Sequence, residues 1–309
     1  GLNTKEEASG FAKLTYTLNS KWSLFADMQL RYVNYEAKKY KVNEALYNFN
    51  PKMGVSFNLN PNNSFYLSYA RATKEPNRSD YKDYAKELKK NALAKKPVAE
   101  KLNDFELGWR YQSDKVVLNI NGYYMGYQDQ LIPTGKLNET GYPIRENVGS
   151  SYRSGIEADA TVHLSTKWVW QPNVAFSKNI TKDYKTEKKK VITYWGDTQI
   201  SYSPSAVIGN TISFLPIKNF QASLISKYVG SQYIDNKQSE EAKLDAYFVN
   251  NLSLQYEWKP KHTFKSVLFS VIGNNILNAK YIPYGSNKYG ESYIPAAEAH
   301  YLAGITLSF

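Results

Sequence analysis

Glu106, in LNDFELGWRYQ, and Glu157, in YRSGIEADATVHL, are the carboxylates whose setting points most directly to chemistry. Each sits on the polar face of a segment that alternates apolar and polar residues, with Arg110 or Arg153 four positions away on the same face. A carboxylate turned into a molecule is costly unless cations or donors meet it. Two readings stand: the glutamates receive cations from elsewhere, or they are solvated or pair with Arg110 and Arg153 inside the wall. A second group suits recognition of an anion: Arg71, Glu75, Arg78, Asp80 and Tyr81 in or beside the stretch 73–101, and Arg145, Tyr123, Tyr127 and Tyr284 near the bases of other long connections. Arginine can grip an anion through two parallel hydrogen bonds, and tyrosine adds a ring with a polar tip. The same residues also suit a loop folded by Arg–Asp pairs, or an aromatic girdle. His163 and His262 fall beside short turns. His300 faces inward near the end of a long connection, where an imidazole could meet haem iron or a metal chelate, but no second histidine stands at a comparable place. There is no cysteine, and no H-E-x-x-H, G-x-S-x-G or phosphate-loop pattern. No enzymatic chemistry, resident cofactor or metal site is therefore expected.

The elements that would position these residues are strands. The last stretch, AEAHYLAGITLSF, places Tyr301, Ala303, Ile305, Leu307 and Phe309 on one face and His300, Leu302, Gly304, Thr306 and Ser308 on the other. A period of two with one apolar face marks a half-buried strand. The pattern recurs at 8–18, 22–34, 49–60, 64–72, 102–112, 115–127, 148–164, 167–178, 204–214, 219–229, 246–258, 264–275 and 297–309. Many of these thirteen segments reach about eleven residues, where soluble strands average about five or six and transmembrane strands need about nine to eleven.

Connections then sort by parity. Short ones fall at 19–21, 61–63, 113–114, 165–166, 216–219 and 259–263, and long ones at 35–48, 73–101, 128–147, 179–203, 230–245 and 276–296. Tight turns at one end and long loops at the other describe an all-β, antiparallel transmembrane barrel with short periplasmic turns and long extracellular loops. The 309 residues hold 27 tyrosines, 15% aromatics, a net charge of +11 and a mean hydropathy of -0.56. Those values fit girdles and an anionic lipopolysaccharide surface; nucleic acid is not expected, because the basic run KDYKTEKKK (182–190) lies at a loop tip and not along a groove. Thirteen is odd, and a closed antiparallel barrel needs an even count. The expectation is that 1–309 is the carboxy-terminal part of a larger barrel. The competing expectation is a passive porin of twelve to fourteen strands with anion preference.

Several stretches resemble the TonB-dependent outer-membrane receptors, particularly those of Bacteroidetes-like bacteria. NPKMGVSFNLNPNNSFYLSYARATKEPNRSDY (50–81) is similar to a strand–turn–strand pair running into an E-P-x-R-x-D-Y loop. LNDFELGWRYQSDKVVLNINGYYMGYQDQL (102–131) resembles an E-x-G hairpin, YRSGIEADATVHL (152–164) a G-[IV]-E strand, and GNNILNAKYIPYG (273–285) the N-N-L motif before the last strand. The resemblance implies about thirteen strands of a twenty-two-stranded barrel whose lumen is plugged. It further implies that Glu106 and Glu157, with Arg110 and Arg153 beside them, meet the plug domain. The implied partners are that plug and the remaining strands, the TonB–ExbB–ExbD system, the barrel-assembly machinery, outer-membrane lipid and lipopolysaccharide. The implied cargo is a small iron chelate such as a ferric siderophore, imported actively across the bacterial outer membrane. Tyr301, Leu307 and Phe309 resemble the terminal signal read by the assembly machinery.

Overall fold

The computed structural model describes residues 3–40, 42–89, 94–188, 191–260, 264–286 and 292–309. The wall strands are β1 (Asn3–Thr17), β2 (Trp22–Ala37), β3 (Val42–Asn60), β4 (Asn63–Lys74), β5 (Glu100–Gln112), β6 (Val116–Leu137), β7 (Pro143–His163) and β8 (Trp168–Lys188). After β9 (Val191–Gln199) the wall continues through β10 (Ala206–Phe214), β11 (Phe220–Val229), β14 (Tyr247–Trp258), β15 (Ser266–Asn274) and β18 (His300–Ser308). Two small hairpins, β12 (Gln232–Tyr233) with β13 (Lys243–Leu244) and β16 (Tyr284–Ser286) with β17 (Ser292–Ile294), stand in the loops, as does the helix α1 (Arg78–Leu88). Thirteen strands follow one another as antiparallel neighbours from β1 to β18, and β9 pairs only with β8. Among the described residues the path does not close into a ring: β1 and β18 each pair along one edge.

Register carries one face across every strand. Leu67 lies opposite Val55 and Leu107, Gly122 continues that row, and Ile156 lies beside Gly122. These apolar positions face outward and stand exposed, Leu107 at 60% and Ile305 at 67%. A soluble surface rarely carries so much contiguous apolar area; a lipid-facing wall does. Outward rings pair across strands near the short turns, Trp22 with Phe57 at 4.5 Å and Trp168 with Phe214 at 4.4 Å.

The expected strands are all present, but the long connections are built differently from expectation. Strand pairing continues through much of 35–48, 128–147 and 179–203, so that only short links separate β2 from β3 and β6 from β7. Above the membrane both faces of a hairpin can be wetted or covered by loops, and the alternation that marks a strand disappears from the sequence.

The buried apolar clusters also lie at this level. Ile132, Val148, Tyr184 and Ile200 form one, Ala37, Val42 and Tyr81 a second, and Ile234, Ala242 and Leu244 a third. Helix α1 is seated on the second. Its cap is Asn77: the Asn77 side chain accepts from the Asp80 amide, and the Asp80 side chain accepts from the Asn77 amide. Arg145 then grips the same Asp80 carboxylate with Nε at 3.0 Å and Nη2 at 2.7 Å.

The Asp80 side chain is only 4% exposed. Arg145→Ala therefore strands a carboxylate and is expected to cost about 3 kcal/mol. Amide hydrogen exchange across 77–89 should accelerate while exchange in the wall strands stays unchanged; unaltered exchange in α1 would refute the assignment.

Candidate functional site

The lumen face holds the two glutamates. Alternation turns Glu106 and Glu157 inward from β5 and β7, with β6 between them. Register sets Glu106 opposite Ser68 and Tyr123, and Glu157 opposite Asn121. The glycines two residues away explain the spacing of both motifs. Gly108 shares a face with Glu106, and the Tyr66 ring lies across it where a Cβ would stand. Gly155 shares a face with Glu157, and the Tyr123 ring covers it in the same way. A strand glycine commonly admits a ring from the next strand. Here it lets each tyrosine lie flat beside a glutamate. The Tyr66 hydroxyl donates to Asn121 Oδ1 at 3.0 Å.

The wall's own arginines are engaged elsewhere. Arg110 lies 4.6 Å over the Tyr66 ring. Arg153 donates to Asn179 Oδ1 and Ser203 Oγ, each at 3.1 Å. Neither Glu106 nor Glu157 makes an ion pair among the described residues. Of the second reading, pairing with Arg110 and Arg153 does not occur among the described residues, while Glu157 is exposed and Glu106 half-buried, as solvated carboxylates would be.

The residues expected to line an outer vestibule divide. Glu75, Asp80, Tyr81 and Arg145 are consumed by folding the loop. Glu75 receives Arg31 through two bonds of 2.8 Å and Lys5 at 2.9 Å. The Arg31 guanidinium, against the cost of burial, holds the Glu75 carboxyl well below its ordinary range, at about 2. Tyr81 is buried against Tyr35, rings stacked at 5.3 Å, and burial pushes its hydroxyl up to about 12. Arg71 faces outward, on the side of Tyr69 and Phe105, so it does not line the vestibule; the two-residue period leaves it no other face. Tyr123 lies down the lumen wall beside Glu106 and not at a loop base. Tyr127 faces inward two repeats of the pleat higher. Arg78 is exposed, and Tyr284 stacks on Tyr202 at 5.6 Å.

His300 has both ring nitrogens occupied, Nδ1 by the Glu298 carbonyl at 2.9 Å and Nε2 by Asn274 at 3.1 Å. That arrangement does not fit a free iron ligand, and no cluster of metal-binding side chains occurs among the described residues. His163 ends β7 at the short-turn end, as expected, and His262 lies outside the described residues. Tyr301 and Leu307 face outward on β18, and Phe309 just beyond it is 75% exposed and set edge-on to Phe264 at 5.1 Å.

Sequence reading missed Lys5, Glu7 and Arg31, whose charges converge with Glu75 across 44 to 70 residues of chain. It also missed Glu146. This carboxylate stands on β7 well above the membrane level, covered by loops, and Tyr184 donates to its Oε1 at 2.6 Å. Burial raises its pKa, partly countered by that bond. The Tyr184 hydroxyl is raised in turn, chiefly by burial and then by the Glu146 charge. No local pattern marks Glu146: it lies opposite Ile132 in the β6–β7 ladder, and Tyr184 and Asn236 reach this layer from distant parts of the chain.

A lipid-facing antiparallel wall with a polar, partly acidic lumen and loops gathered at one end is an outer-membrane receptor or channel barrel. The chain belongs to the TonB-dependent receptor-like β-barrel family, whose model matches residues 2–276. The ferric-catecholate import receptor Fiu of E. coli K12, in its closed form, superposes with a TM-score of 0.71 at 16% identity, over 97% of this chain and 44% of that one. The siderophore receptor PiuA of Acinetobacter baumannii gives 0.72 at 15% identity, over 98% and 43%. The copper transporter OprC gives 0.72 at 15% identity, over 99% and 48%. The chain thus spans less than half the length of each. No curated protein sequence matches it.

Glu146 makes the loop cluster pH-dependent. An acid whose folded pKa is raised destabilises the fold as pH climbs from the ordinary carboxylate range through the raised value. As pH climbs above the ordinary carboxylate range, the rate of protease nicking in the loops, taken as a ratio to that of Glu146→Gln, is expected to rise. A constant ratio would show that the carboxylate carries no such penalty.

Proposed function

We propose that residues 1–309 are the carboxy-terminal wall of an active importer whose lumen is filled by a plug, and that Glu106 and Glu157 receive cationic side chains of that plug. The observation that carries this is the pair of inward carboxylates that make no ion pair among the described residues, with one strand between them, in a wall where Arg110 and Arg153 are already engaged. Two carboxylates presented on a rigid sheet suit charge-assisted, bidentate hydrogen bonds from arginine. Such a lock holds the plug at rest and must be released for passage, which ties it to a TonB–ExbB–ExbD pull and not to diffusion. The cargo that best fits is a small anionic metal chelate, a ferric siderophore above all. Arg78, Tyr127 and Tyr284 remain as vestibule contacts, since their charges and rings are not consumed by ion pairs of the wall.

Replacing both glutamates by glutamine keeps size and removes charge. Chelate binding to isolated outer membranes should survive, while energised uptake of labelled ferric chelate falls about tenfold, the equivalent of one lost charged hydrogen bond. Undiminished uptake would refute plug docking at these residues. Denaturing mass analysis of the purified particle tests the larger claim: a plug and further strands should accompany this sequence, and a particle holding only a 35.3 kDa chain would overturn it.

A further inference from the structure

The lumen face is not uniform around the wall. On β5 and β7 it carries Asp104, Glu106, Glu157 and Asp159, and Arg110 and Arg153 of that side are engaged. Register carries the inward face on through β8 to β10, β11, β14, β15 and β18, where it is made of hydroxyls, amides and apolar side chains. Apart from His300, only two inward residues of these five strands can carry a charge. Glu257, near the short-turn end of β14, is answered by Lys259 at 3.0 Å. The other is Lys227 on β11, which is exposed and makes no ion pair among the described residues. Lys227 stands seven positions above Phe220 at the foot of β11, Glu106 six above Gln112 and Glu157 six above His163, so the three share a level.

Gly209 lies opposite Lys227 on one side and Val249 on the other, and the Asn173 amide lies across Gly209 where a Cβ would stand. No anion flanks the ammonium. Six residues of strand, about 20 Å, separate Lys227 from Gln221, where a groove of about 720 Å³ opens at the short-turn ends of β11, β14, β15 and β18. Gln221, Gln255, Thr306 and Ser308 line it, and Lys167 and Lys218 reach it from the short links. Charged side chains along a passage set the sign of the solute it admits, and low-dielectric walls focus their field. An anion is repelled on the side of β5 and β7 and drawn on the side of β11. We propose that cargo passes along the β10–β18 side of the lumen, that Lys227 is the residue selecting an anionic chelate there, and that the groove is the periplasmic exit. The route rests on the importer reading given above; it leaves the side of Glu106 and Glu157 to the plug.

These 309 residues hold no cysteine, so an introduced thiol reports on its own surroundings. The test uses the full-length receptor in cells, with any cysteine elsewhere changed to serine and folding checked by heat-dependent electrophoretic mobility. Thiols are placed at Ile225→Cys, beside Lys227 on the inward face, and at Asn121→Cys, opposite Glu157. Each is labelled with the anionic sulfonatoethyl and the cationic trimethylammonioethyl methanethiosulfonate. At Ile225→Cys the ratio of anionic to cationic rate should fall about tenfold on adding Lys227→Gln and return with Lys227→Arg. At Asn121→Cys the same changes should leave the ratio unaltered. Energised cells, compared with cells treated with a protonophore, should label Ile225→Cys faster while Asn121→Cys stays protected. An unaltered ratio at Ile225→Cys would overturn the role of Lys227, and equal acceleration at both thiols, or none at Ile225→Cys, would overturn the route. Free labelling of Asn121→Cys in unenergised cells, with Ile225→Cys behaving as expected, would strike the plug contact at Glu157 and leave Lys227 standing. If Ile225→Cys does not fold, Ser223→Cys, one repeat of the pleat lower on the same face, takes its place.

Discussion

Hydrocarbon offers no hydrogen bonds, so every amide and carbonyl that crosses it must find a partner within the protein. The uninterrupted antiparallel ladder from β1 to β18 is the answer this chain adopts. Once the ladder is continuous, register is inherited from strand to strand, and with it the assignment of each side chain to lipid or lumen. Leu107 and Ile156 face lipid for the same reason that Glu106 and Glu157 face inward. No separate interaction has to aim the glutamates; the period of two does it.

Within that constraint the lumen wall is tuned by small residues. Gly108 and Gly155 remove the atoms that would hold Tyr66 and Tyr123 off the sheet. The rings then fill the space that a larger residue would have taken, and Tyr66 provides the platform for Arg110. The arginine that looked like a partner for Glu106 is thereby drawn to a ring, and Arg153 is drawn to Asn179 and Ser203. What is left is a pair of inward carboxylates that make no ion pair among the described residues.

The wall has no interior core in the usual sense, since its apolar face is turned to lipid. Apolar burial moves instead to the loop level, where Tyr81, Tyr184 and Ile234 each centre a small cluster. The ion pairs Arg145–Asp80 and Arg31–Glu75 belong to the same layer and serve it. Most charged residues that resembled ligand contacts are therefore structural. Water is partly excluded there, so pairing is stronger than on an open surface.

The alternation of apolar and polar residues by itself determined the strand order, the lipid-facing side, the inward position of Glu106, Glu157 and His300, and the sorting of short turns from long connections. These follow from a local period that lipid imposes on every crossing segment. Only the tertiary structure decided which inward charges stay unanswered, that Tyr81 is buried, that β2–β3 and β6–β7 continue as ladders beyond the membrane, and that Glu146 is covered. Those outcomes depend on contacts such as Arg31 with Glu75 and Asn236 with Pro133, whose partners lie 44 and 103 residues apart. A pattern with a period of two carries no information at such separations, because closing the distance is the work of the whole sheet and not of the segments it joins.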